Sequence, residues 1–273
     1  MRLGRITEAV GKAATGLCIS VLALTSAAPI LFIVSVSFSS AGELFAGKII
    51  PAGLTLDNYR ILFGETGFLL WVRNSIVVAS TTAFIAVVVT SLAAWTLSRY
   101  RFFGRSMVSS GLFLVQLFPA VMSLVAVYKI LQYLGILDTH GALVLVYLGG
   151  AVPFATWILK GFYDTISPSL EQAACLDGAG PPAVYLWVVL PMSLPMLSAV
   201  FAFTFIAAYS DFLLAAVVLT DERLYTLALG LRTFLEGDFS TNWSVFSAAA
   251  LAGSIPVIAM FAIIIATGKK RLY

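Results

Sequence analysis

Long apolar runs follow one another along the chain, and the charged residues are concentrated in the short segments between them. Six runs are long enough for a helix of about 20 residues to cross the hydrocarbon core of a bilayer. The predicted spans are 13–38, 75–97, 106–128, 141–159, 196–218 and 247–267. The pattern therefore predicts an all-α integral membrane protein with six transmembrane helices, and Pro119 marks a kink in the third. No linker or long repeat divides the chain, so we treat 1–273 as one membrane domain.

Composition supports a lipid environment. Apolar residues make up 60% of the 273 residues and charged residues only 11%, with a mean hydropathy of +1.01. Soluble domains usually contain about 25% charged residues. The first apolar run is longer than the 7–15 residues or so of a signal-peptide core, which predicts an uncleaved first span.

The distribution of basic residues predicts the orientation of the chain in the membrane. With both termini in the cytoplasm, ten of the 16 Lys and Arg residues lie on the inner side and six on the outer side. This is the bias that cytoplasmic segments usually carry. The net charge of +3 follows from that bias and does not indicate a nucleic-acid partner.

The cytoplasmic segment 160–195 is long compared with the 2–8 residues or so that usually connect helices in a bundle. Ser167-Pro168 is typical of a helix start, and Asp177-Gly178 of a helix end. Gly180-Pro181 then predicts a second short helix, which Pro191 is expected to end because its ring clashes with the preceding turn. The segment is predicted to form a helix-turn-helix.

Residues 170–179, with the sequence LEQAACLDGA, and the following Leu190-Pro191 resemble the EAA loop of importer permeases in the ATP-binding cassette (ABC) superfamily. Weaker similarities point to the maltose-type carbohydrate branch of these permeases. They are found at 54–59, 74–75, 98–102, 134–139 and 153–154. With its short N-terminus, the chain is similar to the smaller partner of the usual permease pair.

The resemblance implies a type I importer fold and a place in a bacterial cytoplasmic membrane. It implies a permease subunit of an ATP-driven, binding-protein-dependent importer of a sugar or sugar-like solute. The expected partners are a second permease subunit in a heterodimer, an ATPase dimer and an extracytoplasmic solute-binding protein. ATP and Mg²⁺ are expected in the ATPase, because this sequence has no phosphate-binding glycine loop. We expect no catalysis, metal or cofactor in this chain.

The same resemblance assigns ATPase coupling to residues of the loop. Ala173, Ala174 and Gly178 are expected to allow close packing, and Asp177 to shape the turn. The full set is Glu171, Gln172, Ala173, Ala174, Asp177, Gly178, Ala179, Leu190 and Pro191. When the motif is aligned on Gly178, the glutamate of the family falls at Gln172, with Glu171 beside it. The sequence leaves open which of the two makes the polar contact with the ATPase.

Asp211 is the ionisable residue placed within or at the edge of predicted span five. It either lines the transport pathway or lies at the outer interface. The segment Tyr209-Ser210-Asp211 also departs from the Trp-Asn pair that this branch more often has before the acid. An ion-coupled transporter would need several converging ionisable groups, and a membrane scaffold would not explain the long loop. These two classes remain the alternatives, and the sequence does not identify the solute.

Overall fold

The structure is a computed structural model that describes residues 2–40, 53–118, 120–235 and 243–269. The described residues form helices and connecting segments. The α-helices are α1 Arg2–Ser37, α2 Asp57–Glu65, α3 Phe68–Arg99, α4 Arg105–Val115, α5 Leu124–Tyr133, α6 His140–Thr165, α7 Pro168–Leu176, α8 Pro181–Val184, α9 Leu190–Ser210, α10 Leu213–Val218, α11 Leu227–Arg232 and α12 Trp243–Lys269. The helical composition confirms the predicted fold class.

Five helical runs of the described residues are long and apolar enough to cross a membrane. They are Thr15–Ser37, Phe68–Arg99, His140–Thr165, Pro181–Ser210 and Trp243–Ala266. The predicted third span is divided into α4, a 3₁₀ turn at Ala120–Ser123 and α5. The count of six spans is therefore not confirmed, and Pro119 lies outside the described residues.

The second helix of the predicted helix-turn-helix is joined to span five, so the prediction that Pro191 ends it is wrong. Helix α8 continues through a π-helical turn at Tyr185–Val189 directly into α9. A proline ring in an α-helix clashes with the carbonyl four residues earlier, and a π turn is wider. Because this wider turn lies immediately before Pro191, the helix continues through the proline without that clash. Span five then ends at Ser210, eight residues before the predicted end.

The described chain forms two compact units, of which the first comprises Met1–Thr66 and Leu231–Ser254. Within this unit, α2 contacts the C-terminal end of α1. The Asn58 amide is buried and donates to the carbonyls of Ser37 and Ser39, each at 2.9 Å. The last carbonyls of a helix have no partner within the helix. Asn58 thus satisfies the last carbonyl of α1, that of Ser37, and a second carbonyl in the turn just beyond the helix.

The second unit comprises Gly67–Gly230 and Ile255–Tyr273, and its core is formed by α3 packed against α6 and α9. Small residues on α3, including Ala79, Ala83 and Ala86, are fully buried. Small side chains allow helix backbones to approach closely, which is how membrane helices gain packing energy. The long apolar helix α3 is therefore the central helix of this unit.

Polar side chains hold the segment 218–227 against the N-terminal ends of α3 and α6. Asp138 accepts hydrogen bonds from the backbone N–H groups of Thr220 at 2.8 Å and Asp221 at 3.1 Å. On α3, Asn74 donates to the carbonyls of Arg223 and Tyr225, and the Ser75 hydroxyl accepts from the Leu227 N–H. We call 218–227 the strap. The hydrogen bond from Thr220 lowers the pKa of the Asp138 carboxyl.

Candidate coupling site

The first helix of the 160–195 segment, α7, begins as the sequence predicts. The Ser167 hydroxyl accepts the Ser169 N–H at 3.4 Å, and Pro168 occupies the first turn. Proline fits there because the first N–H groups of a helix have no partner within the helix. Serine and proline thus define where α7 starts.

Helix α7 ends in a Schellman motif at Gly178. The Ala179 N–H donates to the Ala174 carbonyl and the Gly178 N–H to the Cys175 carbonyl, each at 3.0 Å. Gly178 has φ of +88°, and a side chain is strained in this left-handed conformation. No atom lies within 4 Å of the position a Gly178 Cβ would take, so the requirement for glycine comes from the backbone alone.

Glu171 faces the helix bundle. Its Oε1 pairs with Arg99 Nε at 2.5 Å, and its Oε2 accepts the Trp95 indole N–H at 3.0 Å. The Glu171 and Arg99 side chains are each only 12% exposed. Both carboxylate oxygens are therefore engaged by residues of α3. We call Trp95, Arg99 and Glu171 the anchor.

The anchor continues into the end of α6. Arg99 Nη2 donates to the Ile166 carbonyl at 2.9 Å, and Arg99 Nη1 donates to the Ser98 hydroxyl at 3.0 Å. That hydroxyl donates to Asp164 Oδ1 at 2.6 Å, and Lys160 pairs with Asp164 Oδ2 at 2.7 Å. Arg99 thus joins α3, the end of α6 and α7 through directed hydrogen bonds.

The other loop residues singled out from the sequence lie mostly on the surface of the chain. Gln172, Ala173, Asp177, Gly178 and Pro191 are exposed, whereas Ala174, Ala179 and Leu190 are half-buried. Ala174, Ala179 and Leu190 pack against the core beside Leu159 and Tyr163. Some of the predicted loop residues therefore face outward, and the others pack against the helix bundle and attach the loop to it.

Large apolar side chains are also exposed along this loop. Leu176 is 90% and Trp187 80% exposed, and Leu170 and Leu186 are about half exposed. A concentration of exposed apolar side chains around a short helix is typical of a protein-protein contact. Leu186 and Trp187 belong to the run Pro181–Ser210, which is apolar enough to cross a membrane, so the exposed apolar residues of α7 itself are Leu170 and Leu176.

Sequence reasoning missed the partners of Glu171. Arg99 entered the sequence analysis only as part of the similarity at 98–102, and Trp95 did not enter it. The pairing joins residues 72 positions apart, and no periodic pattern reports such a contact. An acidic residue on the inward side of a short amphipathic helix was the one available signal.

Asp211, the other predicted site residue, lies where α9 ends. Its Oδ1 accepts the Tyr147 hydroxyl at 3.1 Å and the backbone N–H groups of Leu214 at 2.9 Å and Ala215 at 3.2 Å. Asp211 therefore caps α10 and holds it to Tyr147 of α6. The residue also lines a cavity between α3, α6 and α9.

Residues 86–268 match the family model described as the binding-protein-dependent transport system inner membrane component. This match covers more than half of the chain, which therefore belongs to that family. The predicted family resemblance is confirmed, and with it a multi-pass membrane protein.

Similar individual proteins come from the maltose and maltodextrin systems. The chain is 35% identical to the maltose/maltodextrin transport system permease protein MalG of Escherichia coli (strain K12), covering 85% of this chain and 84% of that protein. It is 31% identical to the maltodextrin transport system permease protein MdxG of Bacillus subtilis (strain 168), covering 92% and 91%.

Solved structures show the same fold. One chain of a bacterial ABC transporter involved in the import of the acidic polysaccharide alginate superposes with a TM-score of 0.83 at 20% identity. The superposition covers 94% of this chain and 96% of that one. The fold is therefore that of an ABC importer permease.

Proposed function

We propose that this chain is one of two permease subunits of an ATP-driven, binding-protein-dependent importer of a sugar or sugar-like solute. The segment 160–195 transmits motion from a cytoplasmic ATPase. The observation that carries the proposal is α7, which exposes an apolar surface yet is fixed to the bundle by the buried anchor. A helix that is both exposed and rigidly attached is suited to transmit a displacement.

In this proposal α7 docks in a groove of the ATPase, a common mode of helix recognition. Leu176, at 90% exposure, supplies apolar contact area at the end of the helix. Gln172 supplies the outward polar contact, because both oxygens of Glu171 are already engaged. A neutral amide makes a weaker hydrogen bond than a carboxylate does with a basic partner.

The anchor gives the docked helix a mechanical role. Because Arg99 binds α7, α3 and the end of α6 together, a displacement of α7 moves these helices with it. Closure and opening of the ATPase dimer would then rock the spans as rigid bodies. ATP and Mg²⁺ act in the partner, and this chain performs no chemistry on them.

The remaining partners follow from the maltose and maltodextrin permeases to which the chain is similar. A second permease completes the pathway, and an extracytoplasmic solute-binding protein delivers the solute. With both termini in the cytoplasm, the strap at 218–227 lies on the outer side and α7 on the inner side. In this proposed orientation each surface would face its proposed partner.

Co-purification tests the proposal with two matched substitutions of exposed leucines. Leu176→Arg adds a charge to the proposed docking surface, and Leu56→Arg adds one at a 69%-exposed position in a different segment of the chain. From mild detergent, wild type and Leu56→Arg should retain both a second permease and an ATPase. Leu176→Arg should retain the permease and lose the ATPase. If the wild type yields no ATPase even after cross-linking, the importer proposal is wrong.

A further inference from the structure

Four buried hydroxyl groups are hydrogen-bonded to one another where α3, α6 and the start of α9 meet. They belong to Ser91 of α3, Tyr163 of α6, Tyr185 of the π turn and Ser193 of α9, and each of these residues is at most 9% exposed. The oxygens of Tyr185 and Ser91 are 2.6 Å apart, and those of Ser91 and Tyr163 are 3.0 Å apart. The oxygens of Tyr163 and Ser193 are 3.3 Å apart. We call these four residues the hydroxyl cluster.

The hydrogen bonds of the hydroxyl cluster have a single direction, because each hydroxyl has only one hydrogen to donate. Ser193 donates to the Leu190 carbonyl at 3.0 Å, and Tyr163 donates to Ser193. Since the Tyr163 hydrogen is already used, Ser91 must donate to Tyr163. Tyr185 must then donate to Ser91. The series therefore begins at Tyr185 and ends at the Leu190 carbonyl, with all four donors engaged.

The two ends of this series coincide with the two ends of the π turn. Tyr185 is the first residue of the turn, and Leu190 is the residue that follows it. The Leu190 N–H donates to the Tyr185 carbonyl, five residues earlier, which is the hydrogen bond that characterises a π turn. The residues that make this backbone hydrogen bond are thus also joined through Ser91 and Tyr163. The π turn is held to α3 and α6 at both of its ends.

Without this support, the π turn would be the weakest part of the helical run Pro181–Ser210. Helices bend most readily at π turns and at prolines. Pro191 and Pro195 follow the turn closely, and neither has an N–H to donate to the preceding turn of the helix. The same run connects α7 to α9, so bending here would absorb a displacement of the coupling loop before it reached α9.

The hydroxyl cluster lies directly beside the anchor. The Trp95 ring, whose N–H binds Glu171, packs against the Tyr185 ring with the two ring centroids 5.1 Å apart. The anchor fixes α7 to α3 and the end of α6, and the hydroxyl cluster fixes the start of α9 to the same two helices. The coupling helix and the following span are therefore attached to one common support.

We infer that Ser91, Tyr163, Tyr185 and Ser193 are positioning residues for the coupling of ATP hydrolysis to transport. Their hydroxyl cluster keeps the π turn rigid, so that a displacement of α7 reaches α9 undiminished. The inference rests on the proposed importer function and extends it, because it adds a second connection beside the anchor. Loss of the cluster should leave ATPase binding and ATP hydrolysis in place and reduce the transport that each hydrolysis drives.

Hydrogen exchange of the Leu190 amide in the full chain tests whether the cluster holds the π turn. Tyr185→Phe removes the first donor of the series and leaves the other three hydrogen bonds intact. Exchange should become about threefold to tenfold faster, the change in an opening equilibrium that one buried hydrogen bond produces.

Tyr59→Phe is the matched control, since the Tyr59 hydroxyl donates to Ser37 at 2.9 Å, away from the π turn. It should leave the exchange of the Leu190 amide unchanged. The inference is wrong if Tyr185→Phe also leaves this exchange unchanged, or if both variants accelerate it equally.

A double variant separates positioning from stability in the complete reconstituted importer. Ser91→Ala deprives the buried Tyr185 hydroxyl of its acceptor, so the melting temperature should fall. Adding Tyr185→Phe removes the unpaired donor as well, and the melting temperature should recover. Neither variant restores the link to α3. Both should therefore import about threefold to tenfold less maltose per ATP hydrolysed than the wild type or Tyr59→Phe.

The outcomes distinguish this inference from the proposed function. If maltose uptake per ATP recovers together with the melting temperature in the double variant, the hydroxyls only stabilise the fold and the positioning role is overturned. If the wild type retains no ATPase, the importer function itself is wrong. If it retains the ATPase but imports no maltose, the choice of sugar is wrong, and the exchange of the Leu190 amide in Tyr185→Phe still decides whether the cluster holds the π turn.

Discussion

At the scale of single residues, Glu171 and Gln172 show how neighbouring positions take opposite roles. Glu171 is buried against Arg99 and Trp95, whereas Gln172 is exposed. The sequence predicted the coupling role of this pair but left open which residue reaches the ATPase. A polar residue facing the bundle needs a partner whose position depends on packing, so only the three-dimensional structure separates the two.

Glu171→Gln should destabilise the attachment of α7, because Arg99 would keep its charge in a site that is only 12% exposed. Breaking a buried pair by removing one partner costs about 3 kcal/mol or more. The apparent melting temperature of this chain purified without the ATPase should fall, and in the complete importer so should the number of solute molecules imported per ATP hydrolysed.

Gln172→Ala is the matched control for Glu171→Gln. It should leave the melting temperature unchanged and weaken only ATPase binding, since the Gln172 side chain is exposed. The anchor would be refuted by the reverse pattern, with Gln172→Ala lowering the melting temperature and Glu171→Gln leaving it unchanged.

At the scale of elements, the ends of α7 were predictable and the course of the following helix was not. Ser167, Pro168 and Gly178 act locally, so their identity alone defines the start and end of α7. The continuation through Pro191 depends on the π turn at Tyr185–Val189. Tyr185 makes a 2.6 Å hydrogen bond to Ser91 of α3, a tertiary contact outside any local pattern.

Gly178→Ala should unwind the end of α7, because an alanine in the left-handed conformation costs about 1–2 kcal/mol. The Schellman hydrogen bonds from Gly178 and Ala179 should weaken. Hydrogen exchange of the Ala179 amide should accelerate, and transport should fall.

Gly180→Ala supplies the comparison two residues away. Gly180 has φ of −74°, which any residue adopts, so alanine there should leave both exchange and transport unchanged. Equal effects of the two alanines would mean that the backbone conformation of Gly178 does not matter for coupling.

At the scale of the whole molecule, the succession of long apolar runs was enough to predict a multi-pass helical membrane protein. The predicted spans coincide with the five long helical runs, apart from the changed ends of span five and the divided third span. The long-range polar contacts were not predictable. Asp138 binding the strap and Glu171 binding Arg99 each join residues more than 70 positions apart. Apolar periodicity carries no information on such pairs.

The strap should loosen on acidification. The pKa of Asp138 is lowered in the folded protein by the Thr220 N–H, so the charged carboxylate stabilises the fold. This contribution is complete above the ordinary aspartate pKa of about 3.9 and is lost as the pH falls through the lower folded value. Protection of the Thr220 amide from hydrogen exchange should therefore decrease between about pH 4 and pH 2.

Asp138→Asn isolates the charge, since asparagine tolerates the positive φ of 59° at this position. The variant should show lower Thr220 protection at neutral pH and no further loss on acidification. A pH response that persists in Asp138→Asn would assign the effect to another group.

The π turn at Tyr185–Val189 has a consequence for how this chain tolerates changes of length. A residue advances an α-helix by about 100° of rotation, and a π turn accommodates one residue more than an α turn does. Substitutions in this turn leave the two flanking faces aligned. Deleting one residue there would convert the π turn to an α turn, so the side chains of α9 would keep their faces. A deletion within α9 itself would instead rotate every later side chain by about 100°. The π turn is therefore the part of this helix that can absorb a change of length by one residue.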